Sequence, residues 1–174
     1  METKHNLRKA LLVADGGSTK TDWCLAVPHR EPQLFRTRGL NPALLEPPAI
    51  REILQTELLP RLAPHLQGPE TETHIYYYGA GCLPSVCDKM GQALTGLFPR
   101  STAEVHSDLL GAARALCGHE AGIACILGTG SNSCRYDGQD IVQHVSPLGY
   151  ILGDEGSGTA LGKRLIGDWL KGLL

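Results

Sequence analysis

Two stretches of this chain follow one plan, and that repetition constrains the fold more than any single motif does. Ala10-Leu11-Leu12-Val13-Ala14 is an unbroken apolar run, which suits a buried central strand. The segment Asp15-Gly16-Gly17-Ser18-Thr19-Lys20-Thr21-Asp22 follows, too polar and glycine-rich for regular structure. Residues 23–27 then read as a second strand, and the alternation of residues 33–38 predicts a third. At Gly122 the plan restarts. Residues 123–127 form an apolar strand, Gly128-Thr129-Gly130-Ser131 a glycine-rich turn, residues 132–136 a second strand and residues 140–145 a third, with Asp137-Gly138 as the hairpin turn.

Between the copies, helices and strands alternate. Ile50, Ile53, Leu54, Leu58 and Leu62 recur at helical spacing, and Pro60 is expected to kink or end that helix. Residues 74–78 read as a strand, 84–97 as a helix, 103–106 as a strand and 109–117 as a helix stopped by Gly118. A glycine-studded loop over 149–158 and a helix over 159–173 complete the pattern. The expectation is an α/β fold: a mixed sheet with helices on both faces, duplicated, its second copy incomplete. The two domains are expected at residues 1–119 and 120–174.

Several classes are disfavoured at once. Sixteen Lys and Arg against eighteen Asp and Glu leave no basic excess, so a nucleic-acid partner is not expected. The apolar runs at 10–14 and 123–127 are five residues each, far short of a membrane span of about 20 residues, and the polar first nine residues do not read as a secretory signal. A cytoplasmic setting is the expectation. The six cysteines include no C-x-x-C pair, so they read as reduced core thiols rather than a zinc ribbon or redox motif.

Glycine is in excess, 21 of 174 residues, and it clusters where chemistry is expected. The turn at Gly16, Gly17, Ser18, Thr19 and Lys20 offers backbone N–H groups, hydroxyls and a cation to a phosphate, with Asp15 at the strand end as a magnesium ligand through oxygen. It is not a Walker loop, since G-x-x-x-x-G-K-[ST] is absent. An ordinary glycine hairpin turn explains one such segment equally well. The second, at Gly128, Thr129, Gly130 and Ser131, favours a pair that holds a polyphosphate. Asp108, opening a helix after Ser107, reads first as a cap and second as a general base for a substrate hydroxyl. The loop from Gly149 through Asp154 and Glu155 to Gly158 is either a solvated connection or a polar site for a sugar-like ligand. Asn41 reads as a turn residue, and His106 and Tyr76-Tyr77-Tyr78 as strand packing.

Taken in order, Asp15 to Thr21, Gly39-Leu40-Asn41, Asp108, Gly128 to Asn132 and Gly149 to Ser157 resemble the sugar kinase, Hsp70 and actin superfamily. More narrowly, they resemble the N-acetylglucosamine kinase-like, BadF/BadG/BcrA/BcrD-type ATPase family. The resemblance implies an RNase H-like (actin-like ATPase) fold that uses ATP and Mg²⁺ and transfers phosphate to the 6-hydroxyl of an N-acetylated amino sugar. It implies that Asp15 helps hold the metal, that residues 16–20 and 128–131 cradle phosphates, and that Asp108 accepts the hydroxyl proton. It implies that Asn41, Asp108, Asn132, Gly149, Asp154 and Glu155 bind the sugar. Members of the family continue well beyond the equivalent of residue 174, so the second copy is expected to be truncated. Leu161, Leu165, Ile166 and Leu170 are then expected to lie exposed on the last helix and to drive homodimer formation or other self-association. Two other readings share the fold: an ATP-driven activator of the BadF type, and a non-catalytic sugar-binding module. The first is disfavoured in its radical-dehydratase branch because Asp154-Glu155-Gly156-Ser157 carries no cysteine for an iron–sulfur cluster. Likewise, no Cys-x-Cys-x-x-Gly-x-x-x-Cys loop marks the zinc-bearing repressor and kinase branch.

Overall fold

The structure is a computed structural model and describes residues 9–66, 71–97 and 100–174. The chain divides into two compact units, Met1–Asp108 and Leu109–Leu174.

The first unit is built on strands β1 (Lys9–Gly16), β2 (Lys20–Ala26) and β3 (Gln33–Arg38), joined as an antiparallel meander. Strands β4 (Glu72–Gly79) and β5 (Ser101–Ser107) add in parallel, giving the order β3-β2-β1-β4-β5. Side chains alternate across these strands. Leu12, Ala14, Trp23, Leu25, Ile75 and Tyr77 point into one core, where helix residues Ile50, Leu54, Leu58, Met90 and Leu94 meet them. The apolar run at 10–14 is therefore central in the sheet but not buried on both sides, since Leu11 is 39% exposed.

Three helical segments precede β4 without a break: α1 (Pro47–Ile53), a π-turn (Leu54–Leu58) and α2 (Leu59–Leu62). Pro60 does not end the helix where expected. A proline ring crowds the carbonyl four residues back, and the wider turn before it accommodates that clash. Within the turn, the Leu59 N–H donates to Leu54, five residues back. Helix α3 (Pro84–Thr95) stops short of the expected Leu97, with Gly96 at its cap.

The second unit contains α4 (Asp108–Cys117, from Leu109 onward), the antiparallel strands β6 (Gly122–Leu127), β7 (Ser131–Tyr136) and β8 (Ile141–Val145), a short α5 (Gly149–Leu152) and α6 (Gly158–Leu170). Leu109, Leu110 and Ala113 of α4 pack on Ala124, Cys134 and Tyr136. The meander of the first unit is thus repeated, as the sequence plan predicts. Two details differ. The 149–158 segment is not all loop, because residues 149–152 make a helical turn. Helix α6 ends at Leu170, before the expected 173, since Gly172 takes a left-handed φ of 68° and receives the chain's turn there. Among the described residues, no helix is long and apolar enough to cross a membrane.

Candidate nucleotide and sugar site

In the first unit the register brings the key residues to one sheet end. Gly16 pairs with Gly79, and Gly79 with Ser107, so β1, β4 and β5 finish level. Asp15 lies near the end of β1 and Asp108 directly follows β5, the outer two of these three strands, whose neighbours are spaced about 4.8 Å. Carboxyl ends of parallel strands are where open α/β sheets take their ligands.

Tyr77 sits beneath this end. It is fully buried, donates its hydroxyl proton to the Leu40 carbonyl and packs against Trp23 at 6.0 Å. Burial chiefly raises its pKa, with the neighbouring Cys82 next and Asp15 and Asp108 adding smaller contributions. A Cβ on Gly16 would stand 2.1 Å from the Tyr77 hydroxyl, and one on Gly79 would stand 2.3 Å from its ring. The glycines at these strand ends are thus packing requirements as well as turn residues. Sequence reading assigned Tyr77 to strand packing alone. Its place in the ladder is opposite Ala14, one residue before Tyr78, the partner of Asp15, and two before the glycine that ends β4.

Asn41 closes the same network. Its amide Nδ2 donates to Ser18 Oγ at 2.9 Å, and its Oδ1 accepts the Ala43 N–H at 2.9 Å. Ser18 thereby uses an oxygen lone pair and keeps its own proton to donate. The Gly39 N–H holds the Thr19 carbonyl at 3.0 Å, and the Ala80 N–H holds Gly16 at 2.7 Å. Structure thus brings Asp15, Gly16, Gly17, Ser18, Thr19, Asn41 and Asp108 to one end of the first unit. Lys20 is directed elsewhere: its ammonium lies 2.8 Å from Asp22, which also accepts Arg36 Nε at 2.6 Å. Those two hydrogen bonds, Arg36's the larger, hold the Asp22 carboxyl below its ordinary value.

Cys82 lines the site from below. Burial first, then neighbouring Cys87 and Asp108, push its thiol up to about 12. It is a packing thiol, not a nucleophile.

The second unit carries its own cluster. The Gly128–Ser131 turn is tied to the start of α6, where the Gly158 and Thr159 N–H groups donate to the carbonyls of Gly128 and Thr129. Asp154, 8% exposed with a left-handed φ of 59°, accepts the Ser131 N–H at 3.3 Å, and its carboxylate stands 3.2 Å from where a Gly130 Cβ would be. Asp154 thus faces the turn backbone, whereas Glu155 is exposed. Gly149 begins α5 at φ 72° with open space around its Cβ position. Asn132, two residues into the turn's far side, accepts the Ser133 N–H and pairs with His144.

A divalent cation fits the first unit by its donor chemistry. Asp15 is an exposed carboxylate beside a hydroxyl-rich turn. No group of three or more His, Cys, Asp or Glu side chains is placed to hold a metal among the described residues. A lone carboxylate such as Asp15 beside hydroxyls would suit Mg²⁺, which takes one or two carboxylates and fills its octahedron with phosphate oxygens and water.

No protein-family model matches the chain, and no curated protein matches it. Solved structures do. A candidate N-acetylglucosamine kinase from Porphyromonas gingivalis is 48% identical with a TM-score of 0.88, over 94% of this chain and 57% of its own. A second candidate N-acetylglucosamine kinase, from Chromobacterium violaceum, is 22% identical with a TM-score of 0.66, over 91% and 55% respectively. MreB5 of Spiroplasma citri, bound to ADP, shares the fold at 9% identity and a TM-score of 0.57, over 79% and 51%. The chain therefore spans little more than half the length of these relatives.

Proposed function

The chain belongs to the sugar kinase, Hsp70 and actin superfamily, on its N-acetylglucosamine kinase-like branch, and from that premise we propose that it serves transfer of the ATP γ-phosphate to the 6-hydroxyl of an N-acetylated amino sugar, N-acetylglucosamine first. The observation that carries this reading is the placement of Asp15, near the end of β1, and Asp108, directly after β5, at one sheet end, beside a turn whose Ser18 is held by Asn41. Two separated carboxylates suit a reaction that needs a metal-bound donor on one side and an activated hydroxyl on the other.

In this reading Asp15 would help to hold Mg²⁺. Bound there, the ion would neutralise charge developing on the transferred group. Gly16, Gly17, Ser18 and Thr19 are assigned to phosphate binding, as are Gly128, Thr129, Gly130 and Ser131; Lys20 would join them only by leaving Asp22. Asp108 takes the proton of the sugar hydroxyl as its oxygen bonds to phosphorus and the bond to the ADP oxygen breaks. Asn41, Asn132, Gly149, Asp154 and Glu155 hold the sugar, with Asp154 acting partly through the turn it braces. We assign the reaction to the cytoplasm, and the two lobes of the fold to residues 1–119 and 120–174, a boundary that falls after α4, whereas the compact units part before it, at Asp108. The apolar surface of α6 supports self-association. The BadF-type relationship belongs to the same reading.

Calorimetric titration with Mg·ADP and with N-acetylglucosamine, singly and together, tests the reading. Nucleotide and sugar binding that strengthen one another support the kinase. Sugar bound equally well without nucleotide, and no turnover, points to a binding module. ATP hydrolysis indifferent to sugar points to an activator.

A further inference from the structure

His144 is an exposed residue on β8, directly across from Cys134 and diagonal to Asn132 on β7. Its Nε2 lies 2.8 Å from Asn132 Oδ1. The same oxygen lies 3.0 Å from the Ser133 backbone nitrogen. A backbone N–H can only donate, so the Asn132 atom that faces Ser133 must be the carbonyl oxygen. That oxygen has no proton, so the imidazole atom facing it must carry one. An amide oxygen has two lone pairs, and Ser133 and His144 use both. What remains of the Asn132 side chain is its NH₂ group, which can only donate.

We infer that His144 is a positioning residue: it locks the Asn132 amide so that this side chain presents donors only, and so selects a ligand oxygen that accepts. This rests on the proposed function, in which Asn132 contacts the sugar. The acceptor has two sources in that reaction, the acetamido carbonyl of the sugar and a phosphate oxygen of the nucleotide. A freely rotating amide would accept from a hydroxyl as readily as it donates, and would not separate an acetylated sugar from a free amino sugar. Held by His144, it does.

The tautomer is read first, without ligand, from the ring ¹⁵N resonances of His144 in the labelled chain. A protonated Nε2 is the expected result. The labelled chain is then titrated with Mg·ATP, with N-acetylglucosamine and with glucosamine, following the Asn132 side-chain NH₂ resonance, assigned by its loss in Asn132→Asp. A response to N-acetylglucosamine but not glucosamine identifies the acetamido carbonyl as the acceptor; a response to Mg·ATP identifies phosphate. His144→Ala weakens the responding ligand about tenfold, the worth of roughly one hydrogen bond. His144→Gln, which restores a donor, brings affinity back to within about threefold, a recovery that packing alone would not give. A bare Nε2 beside an intact ligand response overturns the positioning role alone, as does unchanged affinity in His144→Ala. A protonated Nε2 with no response to any of the three ligands overturns the functional reading, and the positioning role with it.

Discussion

Residue 81 has no room for a side chain. Its φ is 73°, and a Cβ there would stand 2.0 Å from Asn41 Oδ1. Gly81→Ala is therefore expected to cost about 1–3 kcal/mol in urea unfolding and to pull Asn41 away from Ser18. Tyr77→Phe keeps the ring but strands the buried Leu40 carbonyl, at a cost of about 1–3 kcal/mol by the same measurement. Acid provides a third test. Asp22 and Glu57 are both held below their ordinary values of 3.8 and 4.5, by Arg36 and Arg38 foremost. A depressed folded pKa contributes stability above the unfolded value and loses it as pH falls through the folded one. Thermal melts should therefore fall below about pH 4, modestly, because both pairs are exposed and screened by salt. At this scale the sequence was partly legible. Asp15, Asn41 and Asp108 stood out by type and position. The Asp22 partner of Lys20, the Asp154 contact with its turn and the His144 pairing with Asn132 did not, because each joins residues through strand register or loop closure that local pattern does not encode.

Strands and helices were more readable than the segments joining them. The strand at 33–38 matches β3 residue for residue, since alternation survives on an edge strand. The strand expected from residue 23 begins instead at Lys20, because Lys20 already pairs with Arg38 across the ladder. A helix with a proline near its end is expected to kink or stop there; a π-turn carries it on to Leu62, and Leu54, Leu58 and Leu62 all reach the core. Asp137-Gly138 marks the hairpin turn, with the next strand expected from Asp140. Four residues make the turn instead, since Tyr136 pairs with Ile141 and the Asp137 side chain holds the N–H groups of Gln139 and Asp140. Helix α6 offers a clean test of element-level bookkeeping. Ser157, fully buried, caps it by accepting the Ala160 N–H at 3.1 Å. Ser157→Ala should lower stability by about 1 kcal/mol, read from the urea midpoint.

For the molecule as a whole, the duplicated meander set the architecture before any motif was weighed: it accounts for the β3-β2-β1 half of the first sheet, and two parallel crossovers add β4 and β5. The second unit is the one whose apolar surface exceeds its partners. On α6, Leu161, Leu165, Ile166, Trp169 and Leu170 are all exposed, and Ile123 and Leu127 of β6 are more than two-thirds exposed. Surface of that kind drives association. Light scattering is expected to show species heavier than the 18.7 kDa chain, and Leu165→Glu with Ile166→Lys to return the monomer. The central claim is a sugar-dependent phosphoryl transfer in which Asp108 takes the proton. Coupled-assay ADP release with Mg·ATP and N-acetylglucosamine, run on this chain and on Asp108→Asn, tests it most directly. The account predicts ADP release that requires the sugar and falls by about 10²-fold or more in Asp108→Asn. ADP release that ignores the sugar, or that survives the substitution unchanged, would contradict it.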